Sequence, residues 1–244
     1  MAYSRERRAI LRLLSFIHPT PAEIEFLRSV PGHEVQAKAN EILCTGEEGD
    51  ALYLLLDGWA ANAVISVDGD ERINAINLPG DMLGMASFVM ASPFDRTYAL
   101  TAVTLRPIQG ATLRKMFEQF PRLAATILLV AQEERAVKNE WNSLHALTAE
   151  RRLAGFLFRI GERLEKLDGP SGSRMVIPLR QKHVAEVIGV TPVYIHRLIH
   201  QFQQEGLIDY ERGTLRIADL DRLQALSGLT RWQVVAPRWL PEPV

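Results

Sequence analysis

Residues 179–217 read LRQKHVAEVIGVTPVYIHRLIHQFQQEGLIDYERGTLRI, and they carry the strongest structural pattern of the chain. Its first apolar residues, Val184, Val187 and Ile188, recur at the spacing of one helical face. Gly189 follows at once, and glycine supplies the permissive backbone that a sharp turn between two helices needs. The stretch therefore begins with a predicted short helix that ends in a tight turn.

A second helix is predicted directly after this turn. Thr191 can cap it with its hydroxyl, and Pro192 can occupy its first turn, where a missing N–H costs nothing. Gly206 ends it, and alternating residues around Arg212-Gly213 predict a β-hairpin. One helix face carries Ile195, Leu198, Ile199 and Phe202, and another carries Val193, His196, Arg197 and His200. This order of elements is what a winged helix-turn-helix for double-stranded DNA requires, although two amphipathic helices in an unrelated core would share the periodicity.

The segment from Arg180 to Ile208, with GVTPVYIHRL at its centre, resembles the DNA-binding motif of Crp/Fnr transcription regulators. The resemblance implies an α+β fold with an N-terminal β-roll or jelly-roll sensor domain, a long dimerisation helix and a C-terminal winged helix-turn-helix. It also implies a homodimeric, sequence-specific regulator that binds a palindromic operator and, if it activates, contacts RNA polymerase. The corresponding divisions are residues 1–117, 118–147 and 148–226, with an unassigned tail at 227–244.

Several residues of this motif are candidate DNA contacts. Arg197 is the expected reader of guanine, because arginine can bind guanine O6 and N7 in a bidentate manner. Arg180, Lys182 and Thr191 are expected phosphate anchors, which position a protein on DNA without reading the sequence. Further contacts from the second helix are expected from Val193, Tyr194, His196 and His200.

Composition fits a regulator with two globular units. The chain has 244 residues, of which 47% are hydrophobic, and this is enough for two cores. The formal net charge is only −1, but basic residues gather after residue 150, so a local basic surface is expected. The longest apolar runs are too short to span a membrane, and arginines interrupt the first 14 residues, unlike in a secretory signal. We therefore expect a cytoplasmic protein with no membrane partner.

In the first half of the chain, apolar and polar residues alternate as they do in short β-strands. Alternation starts at Val35, a strand pair over 51–63 turns at Asp57-Gly58, and a further strand is expected over Thr97–Val103. Short strands at this spacing predict a jelly-roll or β-roll. This half resembles the cyclic-nucleotide-binding β-roll of the same family.

That resemblance assigns an effector site to four residues. Gly84 stands where the family has its pocket glycine, and Arg96-Thr97 matches the pair that grips the phosphate of cyclic AMP. Met85 stands where cyclic-AMP-binding members have a glutamate for the ribose hydroxyl. Loss of one charge-assisted hydrogen bond costs about 1.5–3 kcal/mol, which weakens cyclic AMP as the effector. A hydrophobic effector, a domain kept only as a scaffold, and an ordinary ion pair between Arg96 and Asp95 are the open alternatives.

Cysteine and histidine usage excludes several other chemistries. Cys44 is the only cysteine, so the chain can form neither an intrachain disulfide nor the cysteine-ligated iron–sulfur cluster that some family members carry. Cys44 is interpreted as an ordinary strand residue, with redox sensing as the alternative. His18, His33 and His145 lack metal-ligand spacing, so no metal site is expected. No nucleophile or acid–base pair stands out, which argues against an enzyme.

From Glu118 onward the pattern is helical for about seven turns. Its apolar stripe consists of Leu123, Ile127, Val130, Val137, Trp141 and Leu144. The stripe indicates a coiled-coil seam, and a parallel dimer would hold two recognition helices about 34 Å apart. Glu134 interrupts the stripe and is interpreted as a residue that sets the register or responds to a ligand. Packing of this helix on its own domain is the alternative for the stripe, and an effector-binding module that regulates a protein partner is the alternative for the function.

Overall fold

The computed structural model describes most of the chain. The described parts are residues 12, 16–30, 33–44, 51–65, 71–86, 95–144, 146–168, 175–211, 214–233 and 237–240. Their helices are α1 Pro21–Ser29, α2 Gly110–Gln119, α3 Pro121–Leu144, α4 Ala149–Asp168, α5 Gln181–Ile188, α6 Pro192–Gln204 and α7 Leu220–Ser227. Their strands are β1 Val35–Ala37, β2 Ile42–Cys44, β3 Ala51–Asp57, β4 Ala60–Ile65, β5 Glu71–Asn77, β6 Met82–Leu83, β7 Asp95–Ala99, β8 Val103–Gln109, β9 Val176–Ile177, β10 Ile208–Glu211 and β11 Thr214–Ile217.

The N-terminal half forms two antiparallel four-stranded sheets, which confirm the predicted β-roll. One sheet has the strand order β1-β8-β3-β6, and the other has the order β2-β7-β4-β5. Gly58 lies in the turn between β3 and β4 with a φ of +83°, and a Cβ there would lie 2.1 Å from Ala102 O. Because neither this φ nor this space suits another residue, glycine is required where the Asp57-Gly58 pair predicted a turn.

The strand predicted over Thr97–Val103 is confirmed only at its start, because the chain turns within it. Strand β7 ends at Ala99, and the next strand of the chain begins only at Val103. In the turn between them, Thr101 Oγ1 accepts a hydrogen bond from Trp59 N at 2.9 Å. This contact between residues 42 positions apart stabilises a turn that has no local signal.

The helix predicted to start at Glu118 begins at Pro121 instead. Glu118 belongs to α2, which ends before Phe120, and Phe120 leaves the helical region with a φ of −134° and a ψ of 62°. A residue that precedes proline is disfavoured in helical conformation, and proline itself is well suited to a first turn. Pro121 therefore ends one helix and starts the next.

The C-terminal domain confirms the predicted winged helix-turn-helix. Helix α5 ends at Gly189, whose φ of +68° gives the left-handed backbone of a tight turn before α6. Strands β10 and β11 pair antiparallel as the predicted hairpin, whose turn at Arg212-Gly213 lies outside the described residues. Two elements were not predicted: β9 extends the hairpin to three strands, and α7 begins after the cap Asp219.

The two halves of the chain share a core. Leu78 and Leu100 of the β-roll belong to the same buried cluster as Phe156 and Leu157 of α4. Helix α5 also packs along β5. The C-terminal domain is therefore docked on its own β-roll, and this docking places α4 beside the interior of the sensor.

Candidate nucleic-acid interface and effector cavity

Helix α6 buries one face and exposes the other. Thr191 caps it as predicted, because its Oγ1 accepts a hydrogen bond from Tyr194 N at 3.2 Å. Ile195 and Phe202 are fully buried, whereas Val193 is 83% exposed. The other exposed side chains in the predicted reading set are His196, Arg197 and His200. A helix held by its inner face and exposed on its outer face has the geometry that entry into a DNA groove requires.

Two ring contacts order the exposed face of α6. The guanidinium carbon of Arg197 lies 4.7 Å from the centre of the Tyr194 ring, which is a cation–π distance. The rings of His196 and His200 lie 4.6 Å apart in an edge-to-face arrangement. Tyr194 is partly buried. Its ring therefore orients Arg197, and the base contact predicted for Tyr194 stays a prediction.

The three predicted phosphate anchors lie at helix amino termini. Arg180 is the N-cap residue of α5, Lys182 lies in the first turn of α5, and Thr191 caps α6. All three are exposed. Helix amino termini favour phosphate because their unpaired N–H groups point towards it. The structure brings these residues to suitable places, and their contact with DNA stays a prediction.

Arg222 supports this interface without any local sequence signal. Its Nη1 donates a hydrogen bond to Glu205 O at 2.9 Å, and Glu205 is the C-cap residue of α6. Cationic groups at a helix carboxyl end satisfy free carbonyls and interact favourably with the helix dipole. The unpredicted helix α7 thus holds the far end of α6.

A cavity lies where the β-roll, α3 and the C-terminal domain meet. The space between its lining atoms is about 1010 Å³, including the part that is open to solvent. Gly84, Met85 and Thr97 line it, as do Cys44 and Asn62. Three of the four predicted effector residues therefore face one common space.

Arg96, the fourth predicted effector residue, does not line this cavity. In the register of β7 against β4, Thr97 lies opposite Asn62 and Arg96 lies opposite Ala63. Successive side chains of a strand point to opposite faces. Thr97, which is 4% exposed, lies among the cavity residues, and Arg96 lies on the other face. In this conformation the structure does not bring the Arg96 and Thr97 side chains to the same face, and phosphate binding by this pair stays a prediction.

Cationic side chains that were not predicted for this site line the cavity instead: Arg12, Lys138, Arg159 and Arg163. Arg163 of α4 pairs with Asp81, and its Nη1 donates to Ile76 O at 3.2 Å. Asp81 also pairs with Arg12 and accepts a hydrogen bond from Leu78 N at 2.8 Å. A buried carboxylate of the β-roll thus links the sensor to α4. No local pattern reveals this link, because Asp81 and Arg163 are 82 residues apart.

Arg159 joins α3, α4 and the C-terminal tail. Its Nε and Nη2 donate to the two carboxylate oxygens of Glu140 at 2.5 Å each, and its Nη1 donates to Glu162 Oε2 at 2.8 Å. The Trp232 ring lies 5.1 Å from the guanidinium carbon, and Trp232 N donates to Glu162 Oε1 at 2.8 Å. Around Trp232, the described part of the tail that had no sequence assignment therefore packs on α4 next to the cavity.

The apolar stripe predicted as a dimer seam lies partly inside the chain's own core. Leu123 and Val130 are 1% and 2% exposed and pack in a cluster with Phe26 of α1. Leu144 is also buried. The seam prediction is wrong for these residues, because side chains that fill their own core are not free to meet a partner. Of the others, Ile127 is partly buried, Val137 lines the cavity, and the side chain of Trp141 lies outside the described residues.

Two family models match this chain. A cyclic nucleotide-binding domain matches residues 34–120, and a Crp-like helix-turn-helix domain matches residues 151–226. The chain belongs to the Crp/Fnr family. This Crp/Fnr protein is thus a DNA-binding transcription regulator with an effector-binding domain, and the family is one of regulators rather than enzymes.

Relatives of this Crp/Fnr regulator support the assignment along most of its length. It is 25% identical over 198 residues to the anaerobic regulatory protein of Haemophilus influenzae, over 81% of this chain and 77% of the relative. It is 25% identical over 197 residues to the fumarate and nitrate reduction regulatory protein of Escherichia coli, over 80% and 78%. The structure of FixK2 from Bradyrhizobium japonicum has the same fold, with a TM-score of 0.71 at 20% identity over 82% of this chain and 100% of that chain.

An iron–sulfur cluster does not fit the residues of this regulator. Its single cysteine, Cys44, is buried in β2, so the several thiolate ligands that such a cluster needs are missing from the sequence. Within the described residues, no group of three or more His, Cys, Asp or Glu side chains could hold a metal ion. None of the described helices combines the length and the apolar character that crossing a membrane requires.

Proposed function

We propose that this regulator binds a palindromic operator as a homodimer, under the control of an effector in the cavity. Arg197 of α6 reads a guanine in the major groove, and Arg180, Lys182 and Thr191 hold the phosphates. Additional contacts come from Val193, Tyr194, His196 and His200. The protein works in the cytoplasm, where the DNA is, and as an activator it would also contact RNA polymerase.

The exposed face of α6 carries this proposal. Val193 is an apolar residue that is 83% exposed, although a buried position would stabilise it more. A side chain of this type can pack on the methyl group of thymine. It lies on the same helix as Arg197, whose guanidinium is ordered by Tyr194. An exposed, ordered and chemically mixed helix face is what direct reading of base edges needs.

The dimer contact is proposed on the outward side of α3. Leu128 is 52% exposed, and Gln132 and Ala136, one and two turns further on, are also exposed. These residues replace Leu123 and Val130 as the side of α3 that meets a second copy. The division into residues 1–117, 118–147, 148–226 and a tail remains part of this proposal, with the central helix starting at Pro121.

Genome-wide capture of DNA fragments by the purified protein, with and without 3′,5′-cyclic AMP, tests the function. We expect enrichment of a shared palindromic motif. Enrichment only with the nucleotide would identify cyclic AMP as an effector, and equal enrichment in both conditions would indicate another effector or constitutive binding. No enrichment in either condition would contradict the proposal and favour a module that regulates a protein partner.

A further inference from the structure

The C-terminal tail, residues 227–244, contacts more than one part of the molecule. It lies beyond the Crp-like helix-turn-helix model, whose match ends at residue 226. The described parts of the tail are residues 227–233 and 237–240. Trp232 belongs to the first part, and Leu240, eight positions further along the chain, belongs to the second. These two side chains pack on different domains.

Trp232 lies at the junction between α3 and α4. Its backbone N donates a hydrogen bond to Glu162 Oε1 of α4 at 2.8 Å, and its indole Nε1 donates to Glu140 Oε1 of α3 at 3.3 Å. Its ring also lies 5.1 Å from the guanidinium carbon of Arg159. Helix α3 belongs to the sensor side of the hinge, and α4 belongs to the DNA-binding domain. Trp232 therefore joins the two sides, and its contacts require the present angle between α3 and α4.

Leu240 packs on the sensor domain. It is partly buried against the apolar cluster that contains Phe26 of α1 and Leu54 of β3. Its N donates a hydrogen bond to Pro237 O at 3.2 Å, so the chain turns just before it. Trp239, its neighbour, is 59% exposed instead. Burial of a leucine side chain is favourable, and Leu240 gains it from the core of the sensor rather than from the DNA-binding domain.

We propose that the tail is a strap that holds the DNA-binding domain against its own β-roll, with one anchor at Trp232 and the other at Leu240. A rotation of α4 relative to α3 separates Trp232 from Glu140 and draws Leu240 away from the sensor core. The strap therefore makes contacts only in the docked orientation and increases its population. This inference goes beyond the proposed function, because it concerns the position of the domain and not what the domain binds.

The docked orientation leaves the reading face of α6 free. Val193 and Arg197 are exposed in it, and so are Arg180 and Lys182 at the amino end of α5. An apparent affinity is scaled by the fraction of molecules in the competent orientation. A strap that favours the docked orientation therefore strengthens operator binding. This consequence, unlike the docking itself, rests on the proposed function.

Three alanine substitutions in the full chain test the strap. Trp232→Ala removes one anchor, Leu240→Ala removes the other, and Trp239→Ala changes an exposed residue of the same tail as the matched control. Hydrogen exchange with mass spectrometry measures docking at β5 and α5, which pack against each other across the two domains. We expect both elements to exchange about tenfold faster in each anchor variant and at the original rate in the control. Strand β8, in the other sheet, should keep its protection and so show that the β-roll stays folded.

Leu240→Ala separates a strap from ordinary packing. Leu240 lies outside the DNA-binding domain, so faster exchange of α5 in this variant cannot come from a defect in the core of that domain. The inference is overturned if α5 and β5 exchange normally in both anchor variants. It is also overturned if only Trp232→Ala has an effect, because the tail would then merely pack on α4, or if Trp239→Ala has the same effect as the anchor variants.

Operator binding, measured by fluorescence anisotropy, tests the consequence for DNA. We expect binding to be weaker by about three- to tenfold in both anchor variants, since the competent fraction falls by no more than the docking equilibrium does. Unchanged or tighter binding together with faster exchange would overturn this consequence, because the docked orientation would not be the one that reads DNA. If genome-wide capture finds no operator, the proposed function fails, and the exchange measurement still tests the strap.

Discussion

The outer face of α6 and the wall of the cavity are both rich in basic side chains, but they use them in opposite ways. Arg197 is exposed, and its guanidinium rests on the Tyr194 ring. Arg159 is 3% exposed, and acids bind its guanidinium on two sides. An exposed arginine costs little to keep unpaired and can exchange water for phosphate or base, whereas a buried one must keep its acids. Basic residues counted along a sequence therefore overestimate the surface that is free for DNA.

The largest effect is expected from Asp81→Asn, which would leave the buried guanidinium of Arg163 without its carboxylate. Removal of one partner of a buried ion pair costs about 3–5 kcal/mol. We expect the loss in the free energy of unfolding to lie near the lower end of this range, since Arg163 is partly accessible. Urea denaturation measures this change. Asp209→Asn on the exposed side of β10 is the control and should change stability very little. Equal losses in the two variants would show that the Asp81 pairs do not hold the domains together.

The DNA side of the comparison is tested by Arg197→Ala. We expect a loss of about 1–3 kcal/mol in binding to the captured operator, because a bidentate base contact disappears. Weak, salt-sensitive association should remain, since the phosphate anchors are intact. Fluorescence anisotropy on operator and scrambled DNA measures both the specific binding and the weak association. Arg114→Ala removes an exposed arginine of α2 and serves as the control; operator selectivity retained in Arg197→Ala would contradict the assignment.

His183 of α5 makes stability depend on pH. Burial, followed by the charges of Lys182 and Arg180, lowers the pKa of His183 from 6.5 to about 4. Above pH 6.5 the imidazole is neutral in both the folded and the unfolded chain, so its contribution to stability is complete there. As the pH falls from about 6.5 to about 4, the unfolded chain takes up the proton first, and the free energy of unfolding decreases.

Thermal unfolding between pH 7 and pH 4.5 measures this effect. We expect the Tm to fall less steeply in His183→Gln than in the unmodified chain, whatever the Tm of the variant at pH 7. His196→Gln on the exposed face of α6 should keep the original slope. Identical slopes in all three proteins would show that His183 is not the titrating group.

The smallest effect is expected from Lys182→Gln. Loss of one phosphate contact should weaken binding to all DNA sequences alike and reduce the salt dependence of log K by about 1. Anisotropy titrations at several salt concentrations measure the slope. Lys38→Gln, an exposed lysine of the β-roll, is the matched control and should keep the slope. A change in sequence preference instead would mean that Lys182 reads bases.

Most of the DNA-binding domain could be predicted from the sequence because its signals are local. The cap at Thr191, the left-handed turn at Gly189 and the two faces of α6 all depend on residues within a few positions of one another. The same reasoning missed β9 and α7. Strand β9 has only two residues, and α7 was missed although Asp219 caps it and Gly228 ends it; both pack against segments that are distant along the chain.

The cavity could be predicted only in part, and α3 shows why. The β-roll follows from turns and alternation, whereas the place of Gly84 in the cavity was implied by the family resemblance. The apolar stripe of α3 predicts a buried face, but periodicity is the same whether that face meets its own domain or a second copy. Leu123 and Val130 pack in the chain's own core, so the exposed helix face that carries Leu128 is the one that can contact a partner.

Three features could be predicted from the sequence alone: the order of the elements, the helix-turn-helix with its exposed outer face, and the absence of cysteine ligands for a cluster. These features depend on near neighbours, on composition and on the fixed periods of helix and strand. Three others became visible only in the folded chain: Arg96 lies outside the cavity, Arg163 reaches Asp81, and Arg159 is buried between acids. The physical reason is that pairing and burial depend on which distant segments meet, and a charged side chain carries no mark along the chain that tells whether it will face water or an acid.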